Sequence, residues 1–121
     1  MIENWNQLRD LALSLGLPHV EDAVSWGRPN LKAHGKMWTW WSPMIDAAVF
    51  KGSIDEREML MSVDPEMFVM HDHYRASHVI LVAKGRVDPD WARQRLIDSW
   101  RNMAPKKVLK EYDATQSDSQ R

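Results

Sequence analysis

The chain has 121 residues, of which 44% are hydrophobic and 27% are charged, as is typical of one globular domain. It lacks cysteine, which excludes disulfides, thiolate metal sites and a cysteine nucleophile. No apolar run approaches the ~20 residues of a membrane span, and the N-terminus lacks the apolar segment of a signal peptide. We therefore expect a cytoplasmic monomer that makes no contact with membranes.

The net charge of −1 argues against strong nucleic-acid binding through bulk electrostatics alone. The charges are nevertheless segregated along the chain. Residues 84–110 carry eight basic and three acidic side chains, a net charge of +5, whereas residues 55–72 carry one basic and six acidic side chains, a net charge of −5. The basic block either contacts phosphates or forms a solvated helix face, and both interpretations stay open.

The first half of the chain predicts a helix followed by strands. Apolar residues recur at helical spacing from residue 4 to residue 15, and Gly16 supplies a stop. Alternating residues flank His34-Gly35, which predicts a hairpin with a tight turn there. A further strand is predicted at residues 47–51.

The second half predicts further helices around a second pair of strands. Ser53 and Glu56 form a capping box that begins a helix, and Asp88 caps another with Pro89 at its first position. One or two helical turns are expected after Pro105. Helices and antiparallel hairpins in this order predict an α+β two-layer sandwich with the helices on one face of the sheet. The expected boundaries are a single domain at residues 1–112 and a flexible polar tail at 113–121.

Six short motifs run through the chain in order: LPHVEDAVSWGRPNLKAHGKMW at 17–38, DEREML at 55–60, DPEMF at 64–68, HYR at 73–75, RVDPDW at 86–91 and APKK at 104–107. In these motifs the chain resembles the MmcQ/YjbR family of small bacterial proteins. The resemblance implies a fold similar to the frataxin-like (CyaY-like) sandwich and to a double-wing domain. Members of the family are often labelled DNA-binding on that likeness, so the resemblance implies DNA as a partner.

Tryptophans are concentrated in the stretch SWGRPNLKAHGKMWTWW at residues 25–41. On a regular strand Trp38 and Trp40 face one side and Trp41 faces the other. One set must meet the helices, whereas the other either packs under loops or stacks on a nucleobase. The remaining tryptophans of interest are expected in the core or at its margin: Trp26, Trp91 and Trp100.

The corner Gly27-Arg28-Pro29 presents a guanidinium group on a rigid backbone, which suits a phosphate or a carboxylate ligand. The alternative is a structural ion pair of Arg28 with Glu21 or Asp22. The sequence leaves both interpretations open.

Catalytic and metal-binding patterns are weak. His71, His73 and His78 are of a type that ligates metals, but their spacing secures no third ligand, so we expect no metal and no cofactor. Neither a nucleophile elbow, nor a phosphate-cradling glycine loop, nor a His-Glu-x-x-His motif occurs in the sequence. We therefore expect that the protein is not an enzyme.

Together these observations lead to the hypothesis of a binding domain that engages DNA weakly through a basic surface. The predicted contacts are Arg28, Lys32, Lys36, Trp38, Trp40, His73, Arg75, Lys106 and Lys107. The alternative is a module for a small anionic ligand or a protein partner, in which the tryptophans line an apolar pocket and Arg28 anchors the anion. Both hypotheses require these cations to converge on one surface.

Overall fold

The computed structural model describes residues 1–119. In chain order its elements are α1 (Trp5–Ser14), β1 (Val20–Ser25), β2 (Arg28–Ala33), β3 (Lys36–Trp41), β4 (Ala47–Lys51), α2 (Ile54–Val63), β5 (Phe68–Val69), β6 (Val79–Ala83), α3 (Pro89–Met103) and α4 (Lys106–Ser119). Residues 70–78, which include a short 3₁₀ helix at Asp72–Tyr74, connect β5 to β6 and are called the 70–78 loop below.

The strands form one sheet in the order β1-β2-β3-β4-β6-β5, and every neighbouring pair is antiparallel. The predicted α+β architecture with an antiparallel sheet and packed helices is confirmed. The main core lies between the helices and one face of the sheet, and its largest fully buried side chains include Trp38, Phe50, Leu96 and Trp100. On the other face, called the open face below, the second apolar cluster contains no α-helical residue among those that the structure describes.

A β-bulge in β3 determines which tryptophans reach the open face. Leu31 pairs with Thr39, but the next residue, Lys32, pairs with Met37, so Trp38 is the extra residue of the bulge. Trp38 packs in the helix-covered core, and Thr39 lies opposite two other residues of that core, Leu31 and Phe50, so both face the helices. The alternation resumes with Trp40 on the open face. The prediction that Trp38 and Trp40 share a face is wrong, because it assumed an uninterrupted pleat.

The β1–β2 and β2–β3 hairpins have two-residue turns in which both residues have positive φ. In the β2–β3 turn His34 and Gly35 have φ of 55° and 80°, which confirms the predicted turn. In the β1–β2 turn Trp26 and Gly27 have φ of 50° and 74°, and the side chain at the tip is 92% exposed. The assignment of Trp26 to the core or its margin is therefore wrong, because the turn leaves this side chain exposed and outside both core clusters. By contrast, Trp91 and Trp100 pack in the core as expected.

The helix α4 is longer than the one or two turns that the sequence predicts. The ring of Tyr112 lies 4.9 Å from that of Trp100, and Asp113 accepts hydrogen bonds of 2.9 and 3.1 Å from Arg101. These contacts attach the helix to α3 and carry it into the segment for which a flexible tail is predicted. Residues 120 and 121 lie outside the described part of the chain.

His34 makes the stability of this packing depend on pH. Its Nε2 lies 3.1 Å from the carbonyl oxygen of Trp100, and its ring lies 4.9 Å from the Trp100 ring. Burial lowers the pKa of His34 below its ordinary value of 6.5; the Trp100 carbonyl opposes this shift, whereas the nearby His19 adds to it. The unfolded chain therefore binds a proton at this position more readily than the folded chain does.

The stability contributed by neutral His34 is complete above about pH 6.5 and is lost as the pH falls through the lower pKa of the folded state. We expect the melting temperature to fall between about pH 7.5 and about pH 5.5. His34→Asn, which tolerates the positive φ, should flatten this dependence. Thermal unfolding of both proteins over that range checks the prediction, and identical slopes would contradict it.

Candidate functional site

The open face of the sheet carries a cavity of about 660 Å³, called the sheet groove below. Its floor includes the cross-strand neighbours Asn30 and Trp40. The β1–β2 turn forms one wall, and the 70–78 loop forms the other. The side chains in the groove that carry ligand chemistry are Trp26, Arg28, Asn30, Trp40, Lys51 and His73.

The wall formed by the 70–78 loop is fixed by the buried side chain of Arg57, which is 1% exposed. From α2 its Nη1 donates to the carbonyl oxygens of Ser77, Tyr74 and Val79 at 2.8, 3.3 and 3.3 Å. Its Nη2 donates to the carbonyl oxygen of Arg75 at 2.9 Å. One guanidinium group therefore holds most of the turn that leads into β6.

The sequence analysis missed Arg57, which it counted only as the single base of an acidic segment. One signal was available: Arg57 lies three and four residues before Leu60 and Met61, which both pack against the core. That spacing puts the arginine on the buried side of α2.

The two cations of the sheet groove have no acidic partner among the side chains of residues 1–116, which are the ones the structure describes. Neither alternative ion pair of Arg28, with Glu21 or with Asp22, occurs among the described residues, and Asp22 instead accepts two hydrogen bonds of 2.7 Å from Arg9 on α1. Lys51 is half-buried, with its Nζ 5.6 Å from the centre of the Trp40 ring. Burial lowers the pKa of Lys51, and the positive charge of Lys36 lowers it further.

Asn30 supplies a polar group at the floor of the groove. It is 1% exposed, and its Nδ2 donates to the Ser25 hydroxyl at 3.1 Å. Its Oδ1 has no hydrogen-bond partner among the described residues. Because a buried acceptor without a partner is costly, this oxygen is suited to a donor brought by a ligand or a water molecule.

The histidines of this region are held by local contacts. His71 accepts a hydrogen bond of 3.0 Å from the backbone N–H of His73, whose ring packs edge-on against Tyr74 at 4.9 Å. The Tyr74 hydroxyl shares a hydrogen bond of 2.9 Å with Ser42, which ties the 70–78 loop to the segment after β3. Within the described residues there is no cluster of three or more side chains that are able to hold a metal ion.

A second cavity of about 610 Å³, called the lateral cavity below, lies beside the first. Lys51 and His78 line both cavities, so the two adjoin at these side chains. The lateral cavity is also lined by Lys36, Glu56 and Arg95, among others. Arg95 binds both oxygens of Glu56 at 2.7 and 2.8 Å, and this hydrogen bonding lowers the pKa of Glu56.

The structure brings together only part of the predicted contact set. Three of the predicted residues lie in the sheet groove, namely Arg28, Trp40 and His73, and Lys36 lies in the lateral cavity. Trp26, Asn30 and Lys51 also belong to the groove, although the sequence analysis did not select them as contacts. The Trp-Gly pair before Arg28 could have predicted the turn position of Trp26 from the sequence. The positions of Asn30 and Lys51 in the groove depend on strand pairing, which a single sequence does not display.

The other predicted contacts lie elsewhere. Trp38 is fully buried and its Nε1 donates to Ser99 at 2.9 Å, so in this structure its ring is not accessible for stacking. Arg75 forms an ion pair with Asp72 at 2.5 Å, and Lys32 lies across the strand pair from Glu21. The last two, Lys106 and Lys107, begin α4, whose apolar side packs against the helix-covered core, and they line neither cavity.

Fold and groove together define a small α+β domain with one helix-covered sheet face and one face that carries a cation-containing cleft. A family model described as YjbR matches residues 15–102, and the chain belongs to the YjbR family. Comparison with curated proteins and with solved structures gives no match, so the implied likeness to frataxin-like and double-wing domains stays a prediction. None of the helices within the described residues is long and apolar enough to cross a membrane.

Proposed function

We propose that the protein is a non-enzymatic binding domain whose sheet groove takes a small ligand with a flat ring and an anionic group. One observation carries this proposal: Arg28 and Lys51, two cations without acidic partners in the described part of the chain, share the groove with the accessible tryptophans Trp26 and Trp40. The volume of about 660 Å³ lies within the ~300–1,000 Å³ that is usual for small-molecule sites.

The chemistry of the lining supports such a ligand. A guanidinium group presents paired donors to a carboxylate, sulfonate or phosphate, and tryptophan faces attract flat rings and cations. No acidic side chain lines the groove, and no hydrogen bond among the described residues joins one of its histidine rings to a hydroxyl group. Among the described residues the groove thus offers no hydroxyl nucleophile paired with a histidine.

Binding of anilinonaphthalene sulfonate, a fluorescent aromatic anion, tests the proposal. We expect saturable binding to the folded protein, and Arg28→Gln should weaken it about tenfold because a charge-assisted hydrogen bond is lost. Lys106→Gln is the matched control, since that side chain is exposed and lines neither cavity. Equal affinities of the two variants and the original protein would reject the groove as the binding site.

Single-stranded DNA is a second candidate, favoured by the 92% exposure of Trp26 two residues before Arg28. An exposed ring stacks on a base for ~1–3 kcal/mol, and the adjacent cation is placed to contact a phosphate. This arrangement suits weak binding by the β1–β2 turn and does not involve α4.

Fluorescence anisotropy of a labelled oligothymidylate measures this binding. We expect weak binding at low salt that declines steeply at moderate salt, and a further loss of about fivefold or more in Trp26→Leu. Lys107→Gln should leave the affinity unchanged. If the oligonucleotide does not bind at low salt, this second candidate is excluded while the small-ligand proposal is unaffected.

A further inference from the structure

The two cavities adjoin at Lys51 and His78, which line both of them. We propose that the sheet groove and the lateral cavity form one elongated site for a phosphorylated heteroaromatic compound, of which a nucleoside monophosphate is the simplest example. The ring lies in the groove between Trp26 and Trp40, and the phosphate lies beside Lys36 and Lys51. This inference rests on the proposed function and adds the identity of the ligand class.

The charges of the lateral cavity favour a phosphate over a carboxylate. Its lining includes three basic side chains, Lys36, Lys51 and Arg95, and a single acid, Glu56, whose two oxygens are both bound to Arg95 at 2.7 and 2.8 Å. Among the described side chains the two lysines are thus left without a carboxylate partner. They are close enough for the charge of Lys36 to lower the pKa of Lys51. A phosphate monoester carries about two negative charges near neutral pH, which matches two ammonium groups.

The groove adds a requirement for a ring that carries an N–H donor. Trp40 offers a half-buried face with the Lys51 ammonium 5.6 Å from its centre, so a ligand that extends past this ring meets the lysine. The Oδ1 of Asn30, 1% exposed and without a partner among the described residues, accepts a hydrogen bond from a ring or amino N–H. A hydrocarbon ring would leave this acceptor unsatisfied.

Arg28 lies in the groove and does not line the lateral cavity. Its guanidinium plane is suited to stack on a bound ring or to bind oxygen atoms attached to that ring. Arg28 is therefore expected to recognise the ring-bearing part of the ligand, whereas Lys36 recognises only the phosphate. This division of roles separates the further inference from the proposed function experimentally.

Isothermal titration calorimetry of the full chain with adenosine monophosphate, adenosine and inorganic phosphate provides the test. We expect the monophosphate to bind at least tenfold more tightly than adenosine or phosphate alone. Lys36→Gln should weaken the binding of the monophosphate about tenfold and leave the affinity for adenosine unchanged, whereas Arg28→Gln should weaken the binding of both compounds. Lys32→Gln, on the open face but outside both cavities, is the matched control.

If Lys36→Gln leaves the affinity for the monophosphate unchanged while Arg28→Gln reduces it, the two-cavity site is overturned and the single-groove function stands. If neither nucleoside compound binds although anilinonaphthalene sulfonate does, the ligand class is wrong. If oligothymidylate competes with the monophosphate and Lys36→Gln weakens the binding of both, the phosphate that this site binds in the cell can come from single-stranded DNA. Binding of the monophosphate without such competition supports a free nucleotide as the ligand.

Discussion

Replacing Arg57 with methionine should lower the free energy of unfolding by about 3–5 kcal/mol. Methionine has a comparable length and fills much of the same space, so the loss arises mainly from the hydrogen bonds. Four backbone carbonyls, those of Tyr74, Arg75, Ser77 and Val79, lose a charged donor at 2.8 to 3.3 Å. The carbonyls of Tyr74 and Ser77 keep backbone donors, the N–H groups of Ser77 and Val79 at 2.9 and 3.0 Å, so the loss falls mainly on those of Arg75 and Val79. A buried acceptor left without a partner costs about 1–3 kcal/mol, and the removed cost of burying the cation offsets part of the sum.

Chemical denaturation measures this loss of unfolding free energy, and two further variants serve as comparisons. Arg57→Lys keeps the charge but loses the planar, multi-donor guanidinium group, so it should also lower the free energy of unfolding, by about 2 kcal/mol or more. Arg93→Met changes an exposed arginine on α3 and should stay within about 0.5 kcal/mol of the original protein. Amide hydrogen exchange should show faster opening of residues 74–79 in Arg57→Met. A loss below about 1 kcal/mol with unchanged exchange would mean that other contacts hold the loop.

The second large effect is expected from Trp38→Ala, at about 3–5 kcal/mol. The side chain is 0% exposed and packs beneath α3, where its Nε1 bonds to Ser99 at 2.9 Å. Truncation removes the largest apolar contact of the bulge, leaves a cavity and takes a donor away from Ser99.

The same substitution at Trp26 is the internal comparison, because that side chain is 92% exposed. Trp26→Ala should change the free energy of unfolding by no more than about 0.5 kcal/mol. Equilibrium denaturation of the two single variants gives the contrast directly. Comparable losses in both would refute the placement of Trp38 inside and Trp26 outside.

Much of the fold could be predicted because its signals are local. The first helix follows from apolar spacing, and the caps at Ser53 and Asp88 follow from side chains that accept from N–H groups three residues ahead. The turn at His34-Gly35 likewise follows from two adjacent residues that tolerate positive φ. Such features involve only neighbours in the chain, which a single sequence displays.

The candidate site was only partly predictable because its remaining features depend on distant partners. Arg57 bonds to carbonyls 17 to 22 residues away, and backbone acceptors leave no trace in residue types. Lys51 becomes a groove residue only through the pairing of β4 with β3 and β6. Lys106 and Lys107 stand out in a linear count of charges, yet the packing of α4 places them away from the groove.

The bulge at Trp38 also bears on how ligand contacts can be transferred between relatives. Met37 and Trp40 share the open face although they are three positions apart, because one residue of β3 has no counterpart on β2. In a YjbR chain that lacks this inserted residue, the aromatic residue that faces the groove would stand two positions after the equivalent of Met37 instead of three. Alignments within the family should therefore allow a single gap in this strand before equating any aromatic residue with Trp40.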